Sequence, residues 1–222
     1  MAREYQRDVQ TYINDERIRP ALDDGFEPSN MDWASSGTGS IARDTTKSKD
    51  GEASLKLTTG AGASDSISAI RYTGIPQSGG GLFVAKCDFM TNDDPTTFTA
   101  FDFELNYKDG TTRQNPLIRW DASLELWKVF QTGGTYQSVS ELDSWYYLSG
   151  SDVWHSIEIV ADLAQSKYAY VRIDGVKVNI PTVSLFTSSD TQVFCQGAFT
   201  LITGSGGGAK SVYVDNCFIG VL

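Results

Sequence analysis

Apolar and polar positions alternate most cleanly between residues 98 and 107. Phe101, Phe103, Leu105 and Tyr107 take turns with Asp102, Glu104 and Asn106, the period of two in which strand side chains point to opposite faces. The spacing predicts a strand with its rings in a core and Asp102 and Glu104 as two charges on a solvated face. Lys108-Asp109-Gly110 then supplies a hairpin turn, because Asp-Gly tolerates positive φ, into a strand over 111–120. Similar runs cover 53–57, 67–72, 82–90, 123–130, 153–160, 167–173 and 176–180, divided by Lys49-Asp50-Gly51, Gly79-Gly80-Gly81 and Asp174-Gly175. Residues 192–203 and 210–219 read as a closing pair joined at a hairpin tip, Gly204-Ser205-Gly206-Gly207-Gly208. About twelve strands with turn signals at short intervals predict an all-β antiparallel sandwich or barrel over residues 23–222.

The first 22 residues differ. Tyr5, Val9, Tyr12 and Ile13 fall on one side of a short helix, among charged neighbours, until Arg19-Pro20 ends the pattern. Residues 1–22 are therefore expected to form an arm. It either packs on the domain's own surface or docks on another subunit, and docking is the preferred expectation. No internal repeat and no Pro/Ser-rich linker divides the rest of the 222 residues.

The formal charge of −10, from 28 acidic and 18 basic residues without a basic run, argues against nucleic acid and anionic membrane as partners. It is expected to keep the chain soluble. The 11 Phe, 10 Tyr and 5 Trp suit half-buried pleated surfaces. Cys87, Cys195 and Cys217 lie in strand-like apolar stretches, where free Cys packs as a small hydrophobe; a Cys195–Cys217 bridge is the alternative. The start, Met1-Ala2-Arg3-Glu4-Tyr5, has no apolar signal region, and no run approaches the roughly 18 apolar residues of a membrane helix. The chain is expected not to cross a secretory membrane.

Trp154-His155-Ser156-Ile157-Glu158-Ile159-Val160, followed by Tyr168-Ala169-Tyr170-Val171-Arg172-Ile173-Asp174-Gly175-Val176, resembles the laminin-G or concanavalin A-like jelly roll. There a Trp opens a strand, the next strand ends at Asp-Gly, and a short third strand follows. Asp24-Gly25-Phe26-Glu27, Gly51-Glu52-Ala53-Ser54-Leu55-Lys56-Leu57 and Val212-Tyr213-Val214-Asp215-Asn216 also resemble carbohydrate-binding jelly rolls. The resemblance touches about a third of the chain and bears on fold more than on activity. It implies a structural calcium where the first and last strands meet, with Asp24, Glu27 and Asp215 as ligands. Hard oxygen donors suit that ion. The glucanase branch of this superfamily carries Glu-x-Asp-x-x-Glu along one strand; Phe103-Glu104-Leu105-Asn106 and Leu124-Glu125-Leu126-Trp127 lack its second and third carboxylates.

Catalytic chemistry is otherwise sparse. Asp102 and Glu104 are about 7 Å apart along their strand, within the range of a glycosidase pair. His155 is the one histidine, too few for a zinc site, and is expected at a strand start, partly exposed. The glycine run 204–208 has no Lys-Ser/Thr sequel and is no phosphate loop. The aromatic residues Trp127, Tyr136, Trp145, Tyr146 and Tyr147 are candidates for a carbohydrate- or partner-binding surface, since consecutive rings cannot all face one core.

These readings lead to an expected non-enzymatic interaction protein on a virion surface, a capsid decoration protein of a tailed bacteriophage assembled with copies of itself or with the shell. A carbohydrate-binding module or lectin, cytoplasmic or extracellular, is the alternative, and a glycan-cleaving enzyme the third reading.

Overall fold

The alternation becomes two stacked sheets in a computed structural model, which describes residues 19–27, 31–74, 82–91, 98–142 and 153–221. The first sheet has eight strands. In order they are Val176–Asn179 (β14), Lys167–Ile173 (β13), His155–Asp162 (β12), Leu82–Met90 (β6), Ser211–Val221 (β17), Ser54–Thr59 (β4) and Gly39–Asp44 (β3), with Arg19–Asp24 (β1) beside the second half of β17. The second has nine: Thr135–Ser138 (β11), Leu126–Gln131 (β10), Leu117–Asp121 (β9), Phe98–Asp109 (β7), Val193–Thr203 (β16), Ser66–Thr73 (β5) and Ala34–Gly37 (β2), while Thr112–Asn115 (β8) pairs with β7 and with Phe186–Ser189 (β15). Every pairing between named strands is antiparallel. The all-β sandwich expected from the sequence is the fold observed, with seventeen strands among the described residues where about twelve were expected.

Pro116 accounts for part of that difference. Proline gives no N–H to a ladder, and the predicted strand 111–120 is two strands, β8 and β9, with the break there. The first strand begins at Arg19 and pairs with the last, so residues 19–22, placed with the arm by the sequence, belong to the sandwich. The glycine run 204–208 is no hairpin tip: β16 and β17 belong to different sheets, and the run carries the chain across between them.

The core lies between the inward faces. Phe101, Phe103 and Leu105 of β7 and Phe199 and Leu201 of β16 meet Leu55, Leu57, Phe83, Phe89 and Ile159 of the other sheet, all buried. Phe89 stacks on Phe101 at 5.2 Å, and Phe103 on Phe199 at 5.1 Å. Each such side chain contributes about 1.5–3 kcal/mol by leaving water. A side chain at Gly197 would meet Ile219 Cδ1 at 2.6 Å, so glycine lets β16 approach β17 across the core. Tyr168 braces the two sheets: its hydroxyl donates to the Phe130 carbonyl at 2.6 Å and accepts the Leu117 N–H at 3.1 Å.

Candidate functional site

Strand β7 points its other face away from the core, and its hairpin register builds a polar surface there. Asp109 Oδ1 accepts the N–H groups of Thr111 and Thr112, and Gly110 has φ of 92°. The turn places Lys108 opposite Arg113, Glu104 opposite Leu117 and Asp102 opposite Arg119. On the far side of β7, Asn106 faces Gln196 and Asp102 faces Thr200. Directly opposed residues share a face, so Asp102, Glu104, Asn106, Arg113, Asn115 and Arg119 share one surface.

Their contacts are dense. Arg119 grips Asp102 with two hydrogen bonds of 2.6 Å, the bidentate geometry that guanidinium and carboxylate favour. Glu104 Oε1 accepts Asn115 Nδ2 at 3.0 Å and Asn106 Nδ2 at 3.3 Å, with Arg113 Nη2 at 3.7 Å. Asp102 is 5% and Asn106 7% exposed. The expectation of a solvated pair is thus corrected: both carboxylates stand outside the core, yet Asp102 is buried and Glu104 largely so. Two polar atoms beside Glu104, Asn106 Oδ1 and Arg113 Nε, are buried without a hydrogen-bond partner. Leaving such an atom unmade costs about 1–3 kcal/mol, and arrangements of that kind recur where a ligand supplies the missing partner.

Burial pushes the Glu104 carboxyl up, against the opposing charge of Arg113 and the hydrogen bond from Asn115. It does the same to Asp102 against Arg119. Tyr136 lies on the same surface, its ring 4.2 Å from the Arg119 guanidinium. Burial lifts its phenol to about 12, with Asp102 adding and Arg119 opposing, so it is a hydrogen-bond donor and no base near neutral pH. Aromatic rings flank the polar groups on both sides. Phe130 packs on Tyr136 and Phe186 at 5.1 and 4.8 Å. Across the sheet, Tyr72 is 60% exposed and packs edge-on against Phe194 at 5.4 Å.

Of the aromatic candidates, Tyr136 is on this surface and Trp127 is not. Trp127 is 1% exposed, in the core against Trp120 and Phe89. It is corrected to a packing residue, because the register of β10 turns it inward opposite Trp120. Trp145, Tyr146 and Tyr147 lie outside the described residues, as do Tyr5, Val9, Tyr12 and Ile13 of the arm. His155 is buried, not partly exposed, and its Nδ1 lies 2.6 Å from Asp174 Oδ2. The three cysteines are free and buried. Cys195 and Cys217 stand on different sheets, so the neighbouring-strand bridge between them does not form, and burial pushes both thiols up.

Asp24, Glu27 and Asp215 lie near one end of the eight-stranded sheet, and two of them, Glu27 and Asp215, hold the loop 47–52. Asp215 Oδ2 accepts the Lys49 and Asp50 N–H groups, and both Glu27 oxygens accept that of Glu52. Gly51 there has φ of 69°, in the left-handed region that favours glycine, and a Cβ would displace the Glu27 carboxylate. Asp24 is engaged by the Phe26 N–H and the Trp33 indole. Each carboxylate is turned to an N–H donor, and among the described residues no three Asp, Glu, His or Cys groups converge as a metal cage. In this arrangement the residues do not fit the implied calcium.

Arg113, Asn115 and Arg119 were not singled out from the sequence. The signal for them was present: the Asp109-Gly110 turn sets the register, so every second residue from 113 to 119 must share a face with the even residues of β7.

No family model matches the chain, and no curated protein sequence does. Solved structures do. A carbohydrate esterase of the Shiga toxin-encoding bacteriophage phi24B is 16% identical, with a TM-score of 0.58 over 92% of this chain and 99% of that one. An endo-β-1,4-glucuronan lyase from Trichoderma reesei is 11% identical, with a TM-score of 0.58 over 93% and 95%. Peanut lectin is 11% identical, with a TM-score of 0.55 over 92% and 98%. The fold is therefore the concanavalin A-like jelly roll that the sequence resembles. The expectation of a protein without enzymatic activity is corrected by the same structures: an esterase and a lyase share this architecture almost end to end, so the fold does not separate the chain from glycan-active enzymes.

Proposed function

We propose that this chain binds glycans on the outward face of the nine-stranded sheet, around Glu104. The observation that carries the reading is the buried pair of unpartnered atoms, Asn106 Oδ1 and Arg113 Nε, beside the Glu104 carboxylate. A sugar hydroxyl both donates and accepts, so hydroxyls lying over this cluster suit a carboxylate and its amide and guanidinium neighbours together. Tyr136 and Tyr72 provide flanking rings against which sugar faces can rest. The test is a glycan array followed by calorimetry. Wild type is expected to bind a glycan, and Glu104→Ala or Arg113→Ala to weaken it at least tenfold with an unchanged circular dichroism spectrum. No binding to any glycan, or binding indifferent to both substitutions, would refute the proposal.

A second reading, that the bound glycan is also cleaved, is favoured by Glu104 itself. Burial raises its pKa, which suits a proton donor, and Asp102 shares its face two residues away. Turnover of oligosaccharides lost in Glu104→Gln, with binding retained, would support it.

The setting we propose is the surface of a tailed-bacteriophage particle, as a capsid decoration protein among other copies or shell subunits. The esterase of similar fold is a phage protein, and among the described residues no helix is long and apolar enough to cross a membrane. Immunodetection on purified particles tests the setting independently of glycan binding.

A further inference from the structure

Three thiols lie in the core, and strand register brings two of them together. In its second half β17 pairs Phe218 with Lys86 and Ile219 with Ala85. Carried back by one residue, that register sets Cys217 opposite Cys87. Nearer the start of β17 the register differs, since Asp215 pairs with Asp88. Asn216 and Cys217 together therefore oppose Cys87 alone, which is a β-bulge. Asn216 takes the extra position, with φ of 50°. Its side-chain amide holds the bulge by donating to Asp50 at 2.9 Å and Asp88 at 2.8 Å. Without the extra residue, strand alternation would turn Cys217 to the outward face. With it, Cys217 joins Cys87 in the core, both 0% exposed. The third thiol, Cys195, sits on the other sheet, opposite Thr73 and Tyr107.

We propose that Cys87 and Cys217 are a disulfide site, joining β6 to β17 when the chain folds under oxidising conditions. Directly opposed residues of antiparallel strands have Cα atoms about 4.5–5.5 Å apart, inside the roughly 4.4–6.8 Å that a disulfide spans. The oxidant is a low-molecular-weight disulfide such as oxidised glutathione. One cysteine thiolate attacks it, releasing a small thiolate and leaving a mixed disulfide. The second cysteine thiolate then attacks the protein sulfur of that bond and releases the other small thiolate. Two protein thiols are oxidised to one disulfide, one small disulfide is reduced to two thiols, and the protein's two protons end on those thiols.

The folded chain admits neither step. Both cysteines are sealed from solvent, and burial pushes their thiols up, with Cys217 adding to the effect at Cys87. Attack requires thiolate. The bond therefore forms while β6 and β17 are still pairing, and the finished core preserves whichever state the chain folded in. The pair records the redox condition of the compartment of folding.

The test refolds the full chain from denaturant with oxidised or with reduced glutathione. The oxidised sample is expected to regain the same circular dichroism spectrum with one titratable thiol in place of three, and peptide mapping to link Cys87 to Cys217. Its Tm should lie about 10 °C above that of the reduced form, because the bond closes the long loop between residues 87 and 217 in the unfolded chain. Protein already folded, given the same oxidant, should keep all three thiols. Three thiols after oxidative refolding, a bond to Cys195, a Tm no higher than the reduced form's, or loss of the native spectrum would overturn the proposal. Equal bonding in the folded protein would overturn the sealed core, and with it the record of folding conditions. Cys195→Ser, which leaves the pair alone, should behave as wild type; if that variant fails to fold, the wild-type bond map decides.

Discussion

Both outward faces of this sandwich bury charge, and they set it in different surroundings. On the eight-stranded sheet, Lys86 and Glu158 pair at 2.7 Å beside an apolar cluster, with Arg172 3.4 Å from Glu158 Oε1, a buried oxygen without a hydrogen-bond partner. On the nine-stranded sheet, Glu104 is ringed by Asn106, Asn115 and Arg113, yet Asn106 Oδ1 and Arg113 Nε stay unpartnered. Charge set in an apolar patch suits packing, whereas orphaned polar atoms set among aromatic rings suit a polar ligand, and the proposed glycan surface rests on that difference.

The sharpest way to break this contrast is Lys86→Met. Glu158 would then lose its nearest cation in a buried site, at a cost of about 3 kcal/mol, the low end of the usual range because Arg172 remains. Tm is expected to fall by about 10 °C, and Lys86→Met with Glu158→Leu to recover most of it. A Tm equal to wild type would remove the structural role of this face.

A smaller effect is expected from Asp215, at the other end of the same face. Burial, with Asp50 adding, pushes its carboxyl from 3.8 to about 6, against the amides of Lys49, Asp50 and Asn216. A raised folded pKa means a contribution present below the unfolded value and lost as pH rises through the folded one. Unfolding free energy from urea titrations should therefore fall by on the order of 2 kcal/mol between about pH 4 and pH 6. Asp102 and Glu104 shift in the same direction, so the test is the difference between wild type and Asp215→Asn. An identical slope in both would assign it elsewhere.

On the recognition face, Asn106→Leu should change stability by less than about 1 kcal/mol, since it removes an orphaned acceptor along with one long hydrogen bond. Glycan affinity should fall at least tenfold. A large loss of stability would make Asn106 structural and blur the contrast. Smallest of all, millimolar calcium against chelator should leave Tm unchanged, because Asp24, Glu27 and Asp215 already accept N–H donors. A rise of several degrees would show that these carboxylates rearrange into a cage.

Much of the fold was legible in particular residues. The faultless alternation of 101–107 and the Asp109-Gly110 turn place β7 and its partner, and Asp174-Gly175, with φ of 45° and 86°, joins β13 to β14 as the pattern requires. Half of the recognition face was within reach for the same reason, since a two-residue period plus a turn sets which side chains are neighbours. Trp127 was misread because a ring near turn residues is inward or outward according to strand pairing, which local composition does not encode. Asp102 and Glu104 were read as solvated because alternation identifies the face turned from the core without saying what surrounds it.

Sequence alone determined the antiparallel sandwich, the inward rings and the turn chemistry, since these depend on contacts within a few residues along the chain. Only the tertiary structure decided that residues 204–208 cross between sheets, that Asp102 is buried and Glu104 largely so with arginine and asparagine partners, and that the two outward faces set their buried charge in different surroundings, an apolar cluster on one and aromatic rings on the other. Burial and hydrogen-bond completion depend on residues distant in the chain, and no local pattern carries that information.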